Sequence, residues 1–371
     1  MDADRRGIPM TSSVRLLFLG DFFYDSPRVE TDILELARWI DSREVDGTVL
    51  NLEGSLSGGR QRRKHTRLKL CPDVLADVLL ALRVRAVSLA NNHVFDFGAE
   101  GFERLVSLLQ SANIKVFGVS GHGLSRTTTI QTGDMSIVLD AMGWHEEEVV
   151  SDGGYSISDL CAMKPPAERT GHINVMMPHW GYEYEQLPLP IHVELGRKLI
   201  ANGYDLVVGS HAHVLQPLEG VGSGYVAYGL GNAYFGSHRQ RYSLVSDLSA
   251  ALEVSLESDG IRAVQAWPLL YDRNADCTRV LSVDRFVGTS LDFKMPSSLT
   301  EYNETFRSCR TFGLKPSLYA GQSRLNRMKL LLIRWRKMMD RVLGILIGVG
   351  RCVKTYLRQR LRGVENGKEG I

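Results

Sequence analysis

No two of this chain's cysteines stand close enough in sequence to form a CxxC pair. The five, Cys71, Cys161, Cys277, Cys309 and Cys352, are odd in number and widely spaced. That distribution argues against a disulfide framework and a zinc ribbon, and fits a reducing compartment. Met1 to Ser13 carry charges but no apolar stretch, so no secretory signal is expected there. No run reaches the ~18 apolar residues that a membrane-spanning helix needs. Internal repeats and long low-complexity linkers are also lacking. What remains is an ordinary globular composition: 371 residues, 44% hydrophobic and 23% charged. That is enough for one large α/β domain with an appendage, or for two domains.

Apolar runs alternate with segments of helical period, the pattern of a layered α/β domain. Strand-like runs cover 14–19, 48–52, 86–89, 115–117, 136–139, 173–177 and 206–208. Helix-like segments lie between them, at about 31–42, 73–82, 99–112 and 191–202, with Pro72 and Gly203 as punctuation. From about 224 to 270 the pattern turns to strands, at 225–228, 251–256 and 262–267, with Ser258-Asp259-Gly260 as a hairpin turn. Gly58-Gly59-Arg60-Gln61-Arg62-Arg63-Lys64 reads as an exposed loop.

The chemistry gathers where strand-like runs end. Gly20-Asp21 closes the first, and Asn51-Leu52-Glu53-Gly54 the second. Ala90-Asn91-Asn92-His93 with Asp96 follows the third. Pro178-His179-Trp180-Gly181 follows 173–177, and Gly209-Ser210-His211-Ala212-His213 follows 206–208. Parallel strands bring such ends to one edge of a sheet, where the ligands of open α/β sheets bind. Two histidines one residue apart can turn both imidazoles toward one centre, and neutral imidazole is the commonest protein metal ligand. Carboxylate, amide and imidazole together suit zinc, manganese or iron.

Taken singly, each group has a plainer explanation. Gly-Asp is usually a turn, Asn51 and Glu53 a cap and a solvated acid, Asn91-Asn92-His93 an Asn-rich turn. His179 beside Trp180 reads alone as a satisfied semi-buried histidine. Recurrence at five strand ends favours a metal-dependent hydrolase. His65, His122, His145, His172, His192 and His238 lack such context and read as structural.

These blocks also resemble a family. Leu19-Gly20-Asp21, Asn51-Leu52-Glu53, Ser88 to His93 with Asp96 and Gly98, His179 to Tyr184, Gly209 to Val214 with Gln216, and Gly229-Leu230-Gly231-Asn232 stand in the order seen in CapA/PgsA-type proteins. That family is associated with capsule and poly-gamma-glutamate synthesis, and resembles the calcineurin-like metallophosphoesterases. The likeness spans about residues 14–270. It implies a four-layer α-β-β-α sandwich of the metallo-dependent phosphatase type, holding one or two divalent ions (Mn, Zn or Fe). By the same resemblance Asp21, Glu53, Asn92, His179, His211 and His213 are the metal ligands. His93 is the general acid or transition-state stabiliser, oriented by Asp96. The substrate class it implies is phosphorylated or a polymer precursor. Phe23 departs from the pattern, standing where metallophosphoesterases usually place a histidine. Glu53 stands for their usual aspartate, Ala212 for a proline, and Ala233-Tyr234 for the phenylalanine usual after Gly-Asn. A catalytic hydrolase and a non-catalytic scaffold of a polymer synthase complex therefore both stay open.

Beyond the 14–270 domain and a 271–323 extension, residues 324–363 hold twelve Lys/Arg and one acid, Asp340, a net +11. Residues 1–323, with 31 basic and 39 acidic side chains, are net −8. At ~100° per residue, Trp335, Met338, Met339, Val342, Leu346, Val349, Val353, Tyr356 and Leu357 share one helical face, and Arg334, Arg336, Lys337, Arg341, Arg351, Lys354, Arg358 and Arg362 the other, with Arg360 the main exception. Such a basic amphipathic helix reads as a membrane-surface segment, or as a helix packed on the acidic body. Without a nucleic-acid-binding module beside it, nucleic-acid binding is not expected. The expected location is cytoplasmic, peripheral on the membrane if the helix binds lipid or synthase subunits.

Overall fold

In the computed structural model of this protein the expected runs become strands, most of them parallel and buried on both faces. Leu16, Leu17, Phe18 and Leu19 have no solvent exposure. Continuous burial of this kind is why the runs are apolar throughout rather than alternating. The structure describes residues 13–59, 67–121, 123–132, 135–143, 151–152, 155–157, 172–236, 247–272, 277–281 and 294–304.

Along the chain come β1 (Val14–Phe23), α1 (Val29–Asp32), α2 (Leu34–Ser42), β2 (Gly47–Leu52), α3 (Leu75–Ala81), β3 (Val84–Ser88) and α4 (Gly98–Ser111). Next are β4 (Lys115–Phe117), β5 (Val119–Ser120), β6 (Thr127–Thr132), β7 (Met135–Gly143), β8 (Ser151–Asp152), β9 (Tyr155–Ile157) and β10 (His172–His179). Then follow α5 (Pro190–Ala201), β11 (Leu206–Val208), β12 (Leu218–Val221), β13 (Gly224–Ala227) and β14 (Asn232–Phe235). The last are β15 (Leu248–Glu257), β16 (Gly260–Asp272) and β17 (Cys277–Val280).

The first sheet runs β17-β16-β15-β1-β2-β3-β4, with β14 also paired to β1. The second runs β12-β13-β11-β10-β7-β6, and β5-β9-β8 form a small third sheet. The strands β1, β2, β3 and β4 are mutually parallel, as are β7, β10, β11 and β13. One apolar core passes through both large sheets, from Leu16, Val49 and Val87 to Ile137, Val175 and Leu206, and takes in Leu36, Val78 and Leu105 of the helices. A second cluster joins Met176, Val207 and Val226 to Val193, Leu199 and Ile200 of α5. The layers are therefore helix, sheet, sheet, helix, the four-layer sandwich expected.

The chain divides into two units, 1–320 and 321–371. The second unit, with the expected basic helix at 324–363, lies outside the described residues, as does most of the 58–64 loop. No helix among the described residues is long and apolar enough to cross a membrane.

Candidate metal centre

Asp21 sits at a kink in β1. The ladder to β2 shifts register between Leu19 and Asp21, and the ladder to β14 shifts between Asp21 and Phe22. Such bulges re-aim a side chain. Gly20 makes the kink possible: a Cβ there would run into the Gly231 carbonyl, which accepts the Asp21 N–H at 2.9 Å. The Gly-Asp pair is thus an irregularity inside a strand, not a turn. Glu53 follows β2, its N–H donating to the Phe22 carbonyl at 2.9 Å. His211 and His213 lie beyond β11 with φ of 85° and 56°, in the left-handed region that non-glycine residues rarely enter.

The six expected ligands meet in two groups that touch. One oxygen each of Asp21 and Glu53 and one nitrogen of His213 lie within 4.8 Å of one another, all three side chains buried. That is close to the ~3–4 Å spacing that two ligands at ~2 Å from one ion impose. In the second group the rings of His179 and His211 are 4.6 Å apart, and His179 Nε2 is 3.1 Å from Asn92 Oδ1. The His211 N–H links the groups, donating to both Asp21 oxygens at 3.2 and 3.1 Å. Beside them His93 Nδ1 lies 2.6 Å from Asp96 Oδ2, which also accepts the Leu68 N–H at 2.9 Å.

The profile of the family described as "Bacterial capsule synthesis protein PGA_cap" matches residues 28–237. The chain belongs to that family. The match begins after Asp21 and takes in the other five expected ligands. The capsule biosynthesis protein CapA of Bacillus anthracis is 25% identical over 196 residues, covering 49% of this chain and 47% of that protein. The PGA biosynthesis protein CapA of Bacillus subtilis (strain 168) is 26% identical over 207 residues, covering 52% of each. The chain thus spans about half the length of the relatives it matches. Among solved structures, a phosphatase from Mycoplasma pneumoniae aligns with a TM-score of 0.48 and 12% identity, over 70% of this chain and 95% of that one.

In this member of the capsule synthesis family the buried carboxylates and imidazole of the centre act strongly on one another. Burial works to raise the Asp21 carboxyl. The hydrogen bond and charge of His213, the Asn51 amide and the His211 N–H outweigh it and hold Asp21 below the usual carboxylate range. Burial pushes Glu53 well above that range, with Asp21 adding to the effect and His213 opposing it. Burial works to lower His213, but Glu53 and Asp21 draw its imidazole up to about 9. Glu53 Oε2 has no hydrogen-bond partner among the described residues. Two buried carboxylates at this spacing, one with an unmatched oxygen, form a group that could hold a metal ion, since like charges in a dry site disfavour joint ionisation unless a cation offsets them. The donor set, two carboxylates and an imidazole beside an amide and two further imidazoles, fits a divalent metal ion.

Several side chains of the site were given no role in it from sequence. Asn51 donates to Asp21 Oδ1 at 2.8 Å. Asn232, brought level with Asp21 by the β1–β14 pairing, places Oδ1 2.9 Å from His213 Nδ1. Ser210 Oγ is 3.0 Å from His179 Nδ1. Glu183 acts electrostatically on both Glu53 and His213. Each stands inside or next to a motif already noted, and that adjacency was the only signal. Phe23 is buried, its ring 5.2 Å from Phe235, whose ring in turn meets His213 edge-on at 4.7 Å. Aromatic carbon therefore stands at this position in place of an imidazole.

Proposed function

We propose that this chain is a metal-dependent hydrolase of phosphoester bonds that serves assembly of a capsule or poly-gamma-glutamate-type extracellular polymer. The observation supporting this is the meeting, at one site, of six ligand-type side chains from five strand ends with a buried His–Asp pair beside them. One or two divalent ions held by Asp21, Glu53 and His213, and by Asn92, His179 and His211, would supply an activated water and charge compensation for phosphate oxygens.

The protein's own groups do the rest. Asn232 Oδ1, 2.9 Å from His213 Nδ1, and Asp21 Oδ2, 3.2 Å from it, would orient the imidazole toward an ion held there. Asp96 would accept the Nδ1–H of His93 and steady its imidazolium, whose Nε2–H would be the proton that a leaving oxygen takes. The Leu68 N–H anchors Asp96 in turn. Membership of the capsule synthesis family supports the polymer context. The substrate is proposed to be a phosphorylated or polymer-precursor molecule, and the basic 324–363 segment to meet an anionic membrane surface or synthase subunits on the cytoplasmic side.

Metal analysis of the purified protein, then a panel of phosphodiesters and phosphomonoesters with Mn, Zn or Fe, tests the proposal. Hydrolysis that chelation abolishes and metal restores is the expected result. A protein that binds no divalent ion and cleaves nothing on the panel overturns it. That outcome would favour a non-catalytic scaffold, a reading which the aromatic packing of Phe23 supports.

A further inference from the structure

Asn51 stands where the ligand groups meet, and it belongs to none of them. Its side chain is buried, and its Nδ2 donates to Asp21 Oδ1 at 2.8 Å and to Glu53 Oε1 at 3.4 Å, with His179 Nδ1 also 3.4 Å away. An amide's two ends are alike in shape, so its orientation must be argued from its partners. Here a neighbour decides it. Asn91 Nδ2 donates to the Leu52 carbonyl at 2.8 Å, and Asn91 Oδ1 accepts the His93 N–H at 3.1 Å. Both partners are backbone groups with a fixed role, so Asn91 cannot be reversed without losing both bonds. Its Nδ2 then faces Asn51 Oδ1 at 3.4 Å, which turns the Asn51 NH₂ toward the carboxylates. Pairing of β1 with β2 sets Asp21 level with Asn51, so the contact is built into the sheet.

We propose that Asn51 is a positioning residue: its amide hydrogens hold the Asp21 and Glu53 carboxylates together, and its bond with Asn91 ties that pair to the loop bearing His93. This rests on the reading of the site as a metal centre. An amide brings donor hydrogens without a full charge. It offsets part of the repulsion between buried carboxylates while leaving the remaining positive charge to an ion. A carboxylate at position 51 would remove the donors and add a third negative charge.

The test compares the wild type, Asn51→Asp and the swap Asp21→Asn/Asn51→Asp by thermal unfolding in EDTA and in Mn²⁺, with bound manganese measured on each. Asn51→Asp is expected to unfold about 5–10 °C lower than the wild type in EDTA, and to gain more from Mn²⁺ than the wild type does by about 5 °C. The swap, with one amide and one carboxylate exchanged, is expected to recover most of the loss in EDTA. A merely structural asparagine predicts the same loss with and without Mn²⁺ and no recovery in the swap, and that result overturns the proposal. Should Asn51→Asp not fold, Asn51→Ser, which keeps fewer donors, serves the same comparison, and a Mn²⁺ gain equal to the wild type's refutes it. Failure of the metal reading looks different. The wild type would then bind no manganese and show no Mn²⁺ shift, while recovery by the swap in EDTA would still support the positioning role.

Discussion

Replacing Gly209 with alanine should damage fold and metal binding together. Gly209 lies between β11 and His211, its N–H donating to the Ala227 carbonyl at 2.7 Å. A Cβ there would run into the Tyr228 carbonyl and approach Trp180 Nε1 to 2.5 Å. Those two atoms are themselves hydrogen-bonded at 2.9 Å, so neither can yield without breaking that bond. Trp180 is the neighbour of His179, and Ser210, the next residue along, touches His179 Nδ1. Overpacking at such a site costs about 1–3 kcal/mol, and the lost buried hydrogen bond about 1 kcal/mol more. Together these correspond to a fall in Tm of roughly 4–10 °C. Displacing the groups that orient His179 and His211 should weaken metal binding by about 10–100-fold. Thermal unfolding and calorimetric titration with Mn²⁺ measure the two effects. Gly220→Ala is the control: its Cβ would meet only Tyr225 Cε1, at 3.8 Å, and its effect should stay within about 0.5 kcal/mol. If Gly209→Ala matches that control in both assays, the packing argument is wrong.

His93→Ala should lower turnover about 10²–10⁴-fold with bound metal nearly unchanged; equal metal loss in His93→Ala and His211→Ala would make His93 a ligand instead. His192 is buried and stacked on Trp180 at 5.1 Å, and burial lowers its imidazole to about 4 from the ordinary 6.5. The unfolded chain therefore takes up a proton that the folded protein refuses, so stability falls as pH drops from 6.5 to about 4, by on the order of 3 kcal/mol. Urea unfolding across that window should show His192→Phe losing less stability than the wild type, and parallel slopes would refute the assignment. Truncation after Gly321 should release the protein from anionic liposomes, each lost basic residue near the surface having contributed about 1 kcal/mol. Binding of the full chain should weaken with salt, and equal partitioning of both forms at low salt would refute the membrane reading.

The layered fold was legible because its strands are buried on both faces and its helices amphipathic. Such patterns are local, and β1, β2, β3, β10 and β11 stand close to where the apolar runs put them. β6, β12 and β14 were not read as strands. Thr127 to Thr132 and Leu218 to Val221 are largely exposed or half-buried, so no apolar run marks them. Asn232 to Phe235 is a short segment that becomes a strand only by pairing with β1.

At the site itself, sequence alone determined which residue types stand at the ends of strands: the carboxylates, the Asn-His pair and the two histidines flanking Ala212. Parallel strand order then sufficed to expect them at one edge. Tertiary structure decided everything that depends on distance through space. It set Asn51 against Asp21 across two strands, Asn232 against His213 and Asn92 against His179, pairs separated by up to 87 residues of chain. It also packed Phe23 against Phe235, whose ring meets His213. The physical reason is that a strand's residue pattern reports burial, which is local, whereas a hydrogen bond between strands depends on register, which only the folded sheet sets.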